Sequence, residues 1–168
     1  MKNNKPLYLF IGCFLVPVVA AVLVLKSGWL PGEQSNHGRF LDEQVALEQW
    51  QEHPLSPWTI AMVNTPQCES CANQWQDVQA LYVALGKNQG KVRLALMGPD
   101  LDVEGEAHPT LHMQDAPTQL TPGNLYLIDH HGLVVLEYDY VQQPQENRLM
   151  HKGLLKDLKK LLNYSRSS

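Results

Sequence analysis

The sequence predicts an α/β domain built on a central mixed β-sheet flanked by helices and preceded by one N-terminal transmembrane helix. Three patterns carry that expectation. The nearly all-apolar run Trp58–Val63 leads through Cys68-Glu69-Ser70-Cys71 into apolar residues at helical spacing, Trp75, Val78, Leu81, Tyr82 and Leu85. A second apolar run, Lys91–Met97, follows Gly86 and Gly90, so strand, crossover helix and strand make a unit whose strands run parallel. Further on, Asn124–Asp129 and Leu133–Tyr138 flank His130-His131-Gly132, the pattern of an antiparallel hairpin in which glycine supplies a positive φ.

The N-terminal element rests on the 19 residues from Leu7 to Leu25, none of them charged. At about 1.5 Å rise per residue such a helix just crosses a hydrocarbon core of roughly 30 Å. Gly12 and Pro17 are tolerated in a membrane helix. The alternative, a cleaved signal peptide, has an apolar region of about 7–15 residues and a small-residue cleavage site with a polar approach. The run here is longer and no such site follows it. Lys2 and Lys5 precede it while Lys26 alone closely follows, so the positive-inside bias puts residues 1–6 in the cytoplasm, residues 7–25 across the inner membrane and the rest in the periplasm.

Residues 26–40 carry Gly28, Pro31, Gly32 and Gly38 and read as a tether, leaving 41–168 as the periplasmic domain. Leu41, Val45, Leu47 and Trp50 fit a short amphipathic helix, which Pro54 and Pro57 end before the first strand. Trp58–Val63 lacks polar alternation, as expected of a central strand covered on both faces. From Gly98 to Gly123 the chain reads as a loop, with prolines at 99, 109, 117 and 122, and loops longer than ~12–15 residues are usually functional or mobile. Leu149–Tyr164 closes the chain as an amphipathic helix. Its stripe of Leu154, Leu155, Leu158, Leu161 and Leu162, with Lys152, Lys156, Lys159 and Lys160 largely outside it, fits packing on the sheet better than lying on a membrane surface.

Beyond Lys26 the chain holds 10 basic and 17 acidic residues, a formal charge of −7. No basic patch with interleaved aromatics occurs, which argues against a nucleic-acid partner. No Gly-rich phosphate loop, G-x-S-x-G elbow or H-E-x-x-H helix occurs either, so nucleotide and hydrolase chemistry have no support.

The chemistry falls to Cys68 and Cys71. The remaining cysteine, Cys13, lies in the apolar N-terminal run and cannot pair with them. Two cysteines at this spacing on the first turn of a helix can close a small disulfide ring or hold a soft metal, and the helix dipole favours the thiolate that both need. In the redox alternative Cys68 is the nucleophile and Cys71 resolves a mixed disulfide. Glu69 beside Cys68 opposes the dipole, giving a thiol of ordinary acidity and a slow general oxidoreductase. In the metal alternative the two thiolates suit Cu(I), with a third donor from His130 or His131 at the hairpin tip, or from His108, His112 or Met113. A purely structural disulfide is the third alternative.

The order of elements resembles a thioredoxin-like domain. The run Thr121-Pro122-Gly123-Asn124-Leu125-Tyr126-Leu127-Ile128-Asp129, followed by His130-His131-Gly132, looks like the stretch of periplasmic thioredoxin-like and Sco-type proteins that leads into an apolar strand ending in I-D-x-x-G. That resemblance makes Pro122 the candidate for a cis-proline held against the dithiol, with Thr121 before it. More narrowly, the anchor, Ser35-Asn36-His37-Gly38-Arg39, the dithiol, Leu85-Gly86-Lys87 and the lysine- and leucine-rich closing run are similar to a small bacterial membrane-anchored family associated with cytochrome c oxidase assembly. The resemblance covers most of residues 35–166 and implies a partner among oxidase subunits or other assembly factors. It implies either dithiol chemistry, Cu(I) delivery, or docking without use of the cysteines. The chain departs from the Sco-type copper site in three ways: two residues rather than three separate the cysteines, Ala72 replaces a proline after them, and Thr121 falls where the distal histidine belongs.

Overall fold

Trp58–Val63 forms strand β1, with every residue after Trp58 buried, at the centre of a five-stranded sheet. The computed structural model describes residues 5–26, 36–48, 50, 58–101 and 108–164. Residues 1–4, 27–35 of the expected tether, and the helix-ending Pro54 and Pro57 lie outside these. On one side of β1 lie β2 (Val92–Met97) and β3 (Thr110–Met113), both parallel to it; on the other lie β4 (Leu125–Asp129) and β5 (Val134–Tyr138), an antiparallel hairpin. The register aligns Met113, Met97 and Val63, then Met62 with Leu125 and Leu125 with Tyr138, so one end of the sheet is defined by these residues. Gly132 closes the hairpin at φ 85°, as its sequence predicts. β3 lies inside the stretch expected to be a loop.

Alternation along the strands divides the core in two. One face, including Ile60, Met62, Leu94, Leu96, Leu125 and Leu127, is covered by helix α2 (Cys71–Ala84) through Trp75, Val78 and Leu81 and by helix α3 (Pro144–Tyr164) through Leu154, Leu158 and Leu162. The leucine stripe of the closing helix therefore packs on the sheet. The other face, including Ala61, Val63, Ala95, Met97, Tyr126 and Ile128, is covered among the described residues by Val45, Leu47 and Leu120, none of them in a helix.

That second cover corrects the helix expected over 41–50. The segment runs extended along β5: Arg39 and Glu137 exchange backbone hydrogen bonds of 2.9 and 2.8 Å, Val134 N–H donates to the Val45 carbonyl (2.9 Å), and Leu47 N–H donates to the Gly132 carbonyl (2.9 Å). β5 otherwise presents an unpaired edge, and covering that edge while burying Val45 and Leu47 on one side outweighs helical spacing. Upstream, the buried Asp157 carboxylate on α3 accepts bonds from the His37 N–H, the Gly38 N–H (3.0 Å) and the Tyr138 hydroxyl (2.9 Å). Residues 36–40 thus belong to the compact unit Asn36–Ser168.

The other compact unit, Met1–Ser35, contains helix α1 (Lys5–Lys26), 22 residues with Pro17 inside it. Among the described residues no helix is long and apolar enough to cross a membrane.

Candidate functional site

Where β1 ends at Val63, the chain makes two turns before α2. Cys68 N–H donates to the Thr65 carbonyl (3.0 Å) and Cys71 N–H to the Cys68 carbonyl (3.3 Å). Helix α2 opens at Cys71 with Ser70 as its N-cap residue. Cys68 therefore precedes the helix rather than sharing its first turn with Cys71, because the turn that follows Pro66 holds it outside the helical hydrogen bonds.

The two cysteines form a disulfide across a Cα–Cα distance of 5.4 Å. Cys71 is wholly buried and Cys68 half-buried, so one sulfur alone is open to attack. Each sulfur has its own polar neighbour. The Ser70 hydroxyl makes no capping bond and lies 3.8 Å from Cys68 Sγ, while the Val63 carbonyl oxygen lies 3.6 Å from Cys71 Sγ. A disulfide sulfur carries no hydrogen, but after reduction the first neighbour donates to a Cys68 thiolate and the second accepts from a Cys71 thiol. A groove of about 480 Å³ opens beside Cys68, lined by Gln67, Glu69, Ser70, Asn73, Tyr140 and Gln142.

Across the disulfide stands the turn before β4. Its contact residue is Gly123, whose N–H donates to the Val63 carbonyl (2.9 Å) and whose φ is 84°. Pro122 is next to this contact and exposed, and the peptide bond before it is trans, like every described peptide bond. The expected cis-proline is thus corrected: glycine at positive φ turns the backbone against the sulfurs without it. Thr121, also exposed, fixes the turn through its backbone: its N–H donates to the Tyr126 hydroxyl oxygen (2.7 Å) and its carbonyl accepts from the Tyr126 hydroxyl (3.3 Å).

Two buried polar groups support the site, neither evident from the sequence. The Glu137 carboxylate on β5 accepts from Asn124 Nδ2 (2.9 Å), Tyr126 Oη (3.0 Å) and Arg39 Nη2 (2.7 Å). Burial pushes its carboxyl up, and the bonds from Asn124, Arg39 and Tyr126 together outweigh burial and hold it below the usual range. Behind Cys71, Gln74 is fully buried and its side-chain oxygen accepts from Asn147 Nδ2 on α3 (3.1 Å). His151, one turn further along α3, is also buried, and its pKa is lowered by desolvation against the opposing pull of Asp77. An internal polar residue in an otherwise apolar stripe, as Gln74 and His151 are, was the available sequence signal.

The histidines do not join the sulfurs. His130 and His131 follow the far end of β4, which pairs Leu125 with Met62 and Asp129 with Trp58. At about 3.3 Å per residue the strand places them roughly 17 Å from the disulfide end. The expectation that either is a third copper ligand in this fold is corrected by that register. His112 Nδ1 lies 2.9 Å from Asp100, His108 rests on Tyr82 with ring centroids 4.8 Å apart, and Met113 packs into the second core. Among the described residues no group of three or more His, Cys, Asp or Glu is placed to hold a metal ion.

The mixed sheet, its two helices and a disulfide at the end of the central strand define a thioredoxin-like α/β domain. The chain belongs to the family described as transmembrane-like, thioredoxin-like, C-terminal domain, whose model matches residues 58–165. No curated protein matches it. Among solved structures it is similar to the C-terminal domain of an uncharacterized protein from Bacteroides fragilis (16% identity, 54% of this chain and 77% of that one, TM-score 0.37). It is also similar to a thioredoxin-like protein from Bacteroides caccae (18%, 56% and 40%, TM-score 0.36) and to Trgpx in its apo form (12%, 57% and 81%, TM-score 0.34).

Proposed function

We propose that this protein exchanges disulfides with a partner while held at the inner membrane by α1. The carrying observation is the asymmetry of its disulfide, with Cys68 half-buried at a groove and Cys71 wholly buried. A partner thiolate attacks Cys68 Sγ, and the Cys68–Cys71 bond breaks with its electron pair on Cys71, which takes up a proton beside the Val63 carbonyl. A second partner thiolate then attacks the partner sulfur of the mixed disulfide, releasing Cys68 as a thiolate beside the Ser70 hydroxyl. The partner's two thiols are oxidised and this disulfide is reduced, with no further oxidant. The reverse sequence reduces a partner disulfide.

Anchoring is supported by the uncharged run Leu7–Leu25 and by the exposure of Phe10, Phe14, Leu15, Val16 and Leu23 on α1. The periplasmic side follows from the flanking lysines, and an oxidising compartment suits the disulfide. The resemblance described above points to a cytochrome c oxidase subunit or another assembly factor as the partner. The test is Cys71→Ser against Cys68→Ser in cells. Cys71→Ser is expected to accumulate a mixed disulfide with the partner and Cys68→Ser to accumulate none. If neither variant traps a partner and both support the process the wild type supports, the scaffold reading, docking without dithiol chemistry, replaces this one.

A further inference from the structure

Acidic residues gather at the disulfide end, alongside Arg39 and Arg148, and lysines gather at the opposite end, where Asp129 closes β4. At the disulfide end, Asp115 follows β3, Asp100 follows β2, Glu69 lies between the cysteines, Asp139 follows β5 and Glu146 sits in the first turn of α3. Arg39 at this end is already held by Glu137 and Asp139. At the opposite end, Lys87 and Lys91 occupy the 3₁₀ turn Gly86–Lys91 and Arg93 opens β2, while Lys156, Lys159 and Lys160 lie toward the far end of α3. No basic side chain lines the groove beside Cys68, whereas Glu69 does, exposed, together with the Tyr140 ring.

We infer that this groove selects partner cysteines flanked by lysine or arginine. The inference rests on the exchange reading of the disulfide and adds its substrate class. A cationic flank is drawn toward Glu69 and, within a Debye length of roughly 8 Å at physiological salt, toward any neighbouring acid of that end. Tyr140, which also lines the groove, supplies an aromatic side chain there rather than an opposing charge. An anionic flank meets repulsion with no basic group in the groove to offset it.

The experiment uses the oxidised full-length chain in a neutral detergent and two reduced synthetic peptides, each with the same cysteine pair in a Gly/Ser background, one flanked by lysines and one by glutamates. Each rate of disulfide reduction is divided by that peptide's rate with 2-hydroxyethyl disulfide, which removes the effect of the flanks on the thiols themselves. The lysine peptide is expected to react about tenfold faster at low salt, with the preference shrinking at high salt and in Glu69→Gln. Equal normalised rates for both peptides, or a preference that neither salt nor Glu69→Gln reduces, overturn the selectivity and leave exchange standing. If neither peptide opens the disulfide, the exchange reading fails and the selectivity with it.

Discussion

Gly123 lies against Cys68 with its φ at 84°, and a β-carbon built on it would stand 3.6 Å from the Cys68 sulfur. That distance is ordinary van der Waals contact, so the need for glycine comes from the backbone and not from crowding. Gly123→Ala is expected to lose about 1–2 kcal/mol of stability through the left-handed backbone alone, and Gly123→Asn to lose less. Urea unfolding of the three proteins decides it. Equal losses for alanine and asparagine would show that the side chain, rather than φ, sets the cost.

The buried Asp157 ties residues 36–38 to α3 and to Tyr138. Removing it leaves three donors without their acceptor, at an expected cost of about 3 kcal/mol for Asp157→Ala. Amide hydrogen exchange should accelerate first at His37, Gly38 and Arg39. Unchanged protection there would mean that the pairing of Arg39 with Glu137 holds the segment by itself.

Stability is expected to fall in two separate ranges of acid. His151 is held neutral by burial, with a folded pKa below the ordinary 6.5. Above that value it contributes nothing to pH dependence; as pH drops below it the unfolded chain takes up a proton that the folded chain refuses, and stability declines. Glu137 has a folded pKa below its ordinary 4.5, so the stability it contributes is present above that value and is lost as pH falls through the folded one. Urea midpoints measured from pH 8 to pH 3 should lose the upper range in His151→Gln and the lower one in Glu137→Gln. A His151→Gln profile that still declines between pH 6.5 and 5 like wild type contradicts the first assignment.

Copper, if the reduced dithiol takes it, is expected to be held by the two thiolates without a histidine of this chain, since β4 separates His130 and His131 from the sulfurs. Anaerobic Cu(I) titration of the full chain should lose binding with Cys68→Ser or Cys71→Ser and keep the same Kd in the His130→Ala, His131→Ala double variant. A tenfold weakening in that double variant would bring histidine back into the site.

The elements legible in the sequence are those whose residues answer to one dominant demand. Trp58–Val63 is apolar because both its faces are covered, and the stripe of α3 is leucine because one face meets the sheet. β3 was hidden because it has four residues, none fully buried, and owes its conformation to pairing with β2. Leu41, Val45 and Leu47 satisfy a helical spacing by coincidence, and the unpaired edge of β5, a feature visible only in three dimensions, decides their conformation. The cysteines were legible by spacing. Gly123 was masked by the proline before it, and nothing in the spacing of Leu133–Tyr138 shows that Glu137 is buried, where Asn124, Tyr126 and Arg39 all bond to it.

Arg39 and Asn124 share the carboxylate of Glu137, and Asn124 follows the glycine that touches the disulfide. Arg39, near the start of the compact unit Asn36–Ser168, is therefore two side-chain bonds and one peptide link from the glycine beside Cys68. The first residues of the compact unit and the turn over Cys68 are thus parts of one hydrogen-bonded cluster, with Asp157 holding His37 and Gly38 just ahead of the Arg39–Glu137 pair.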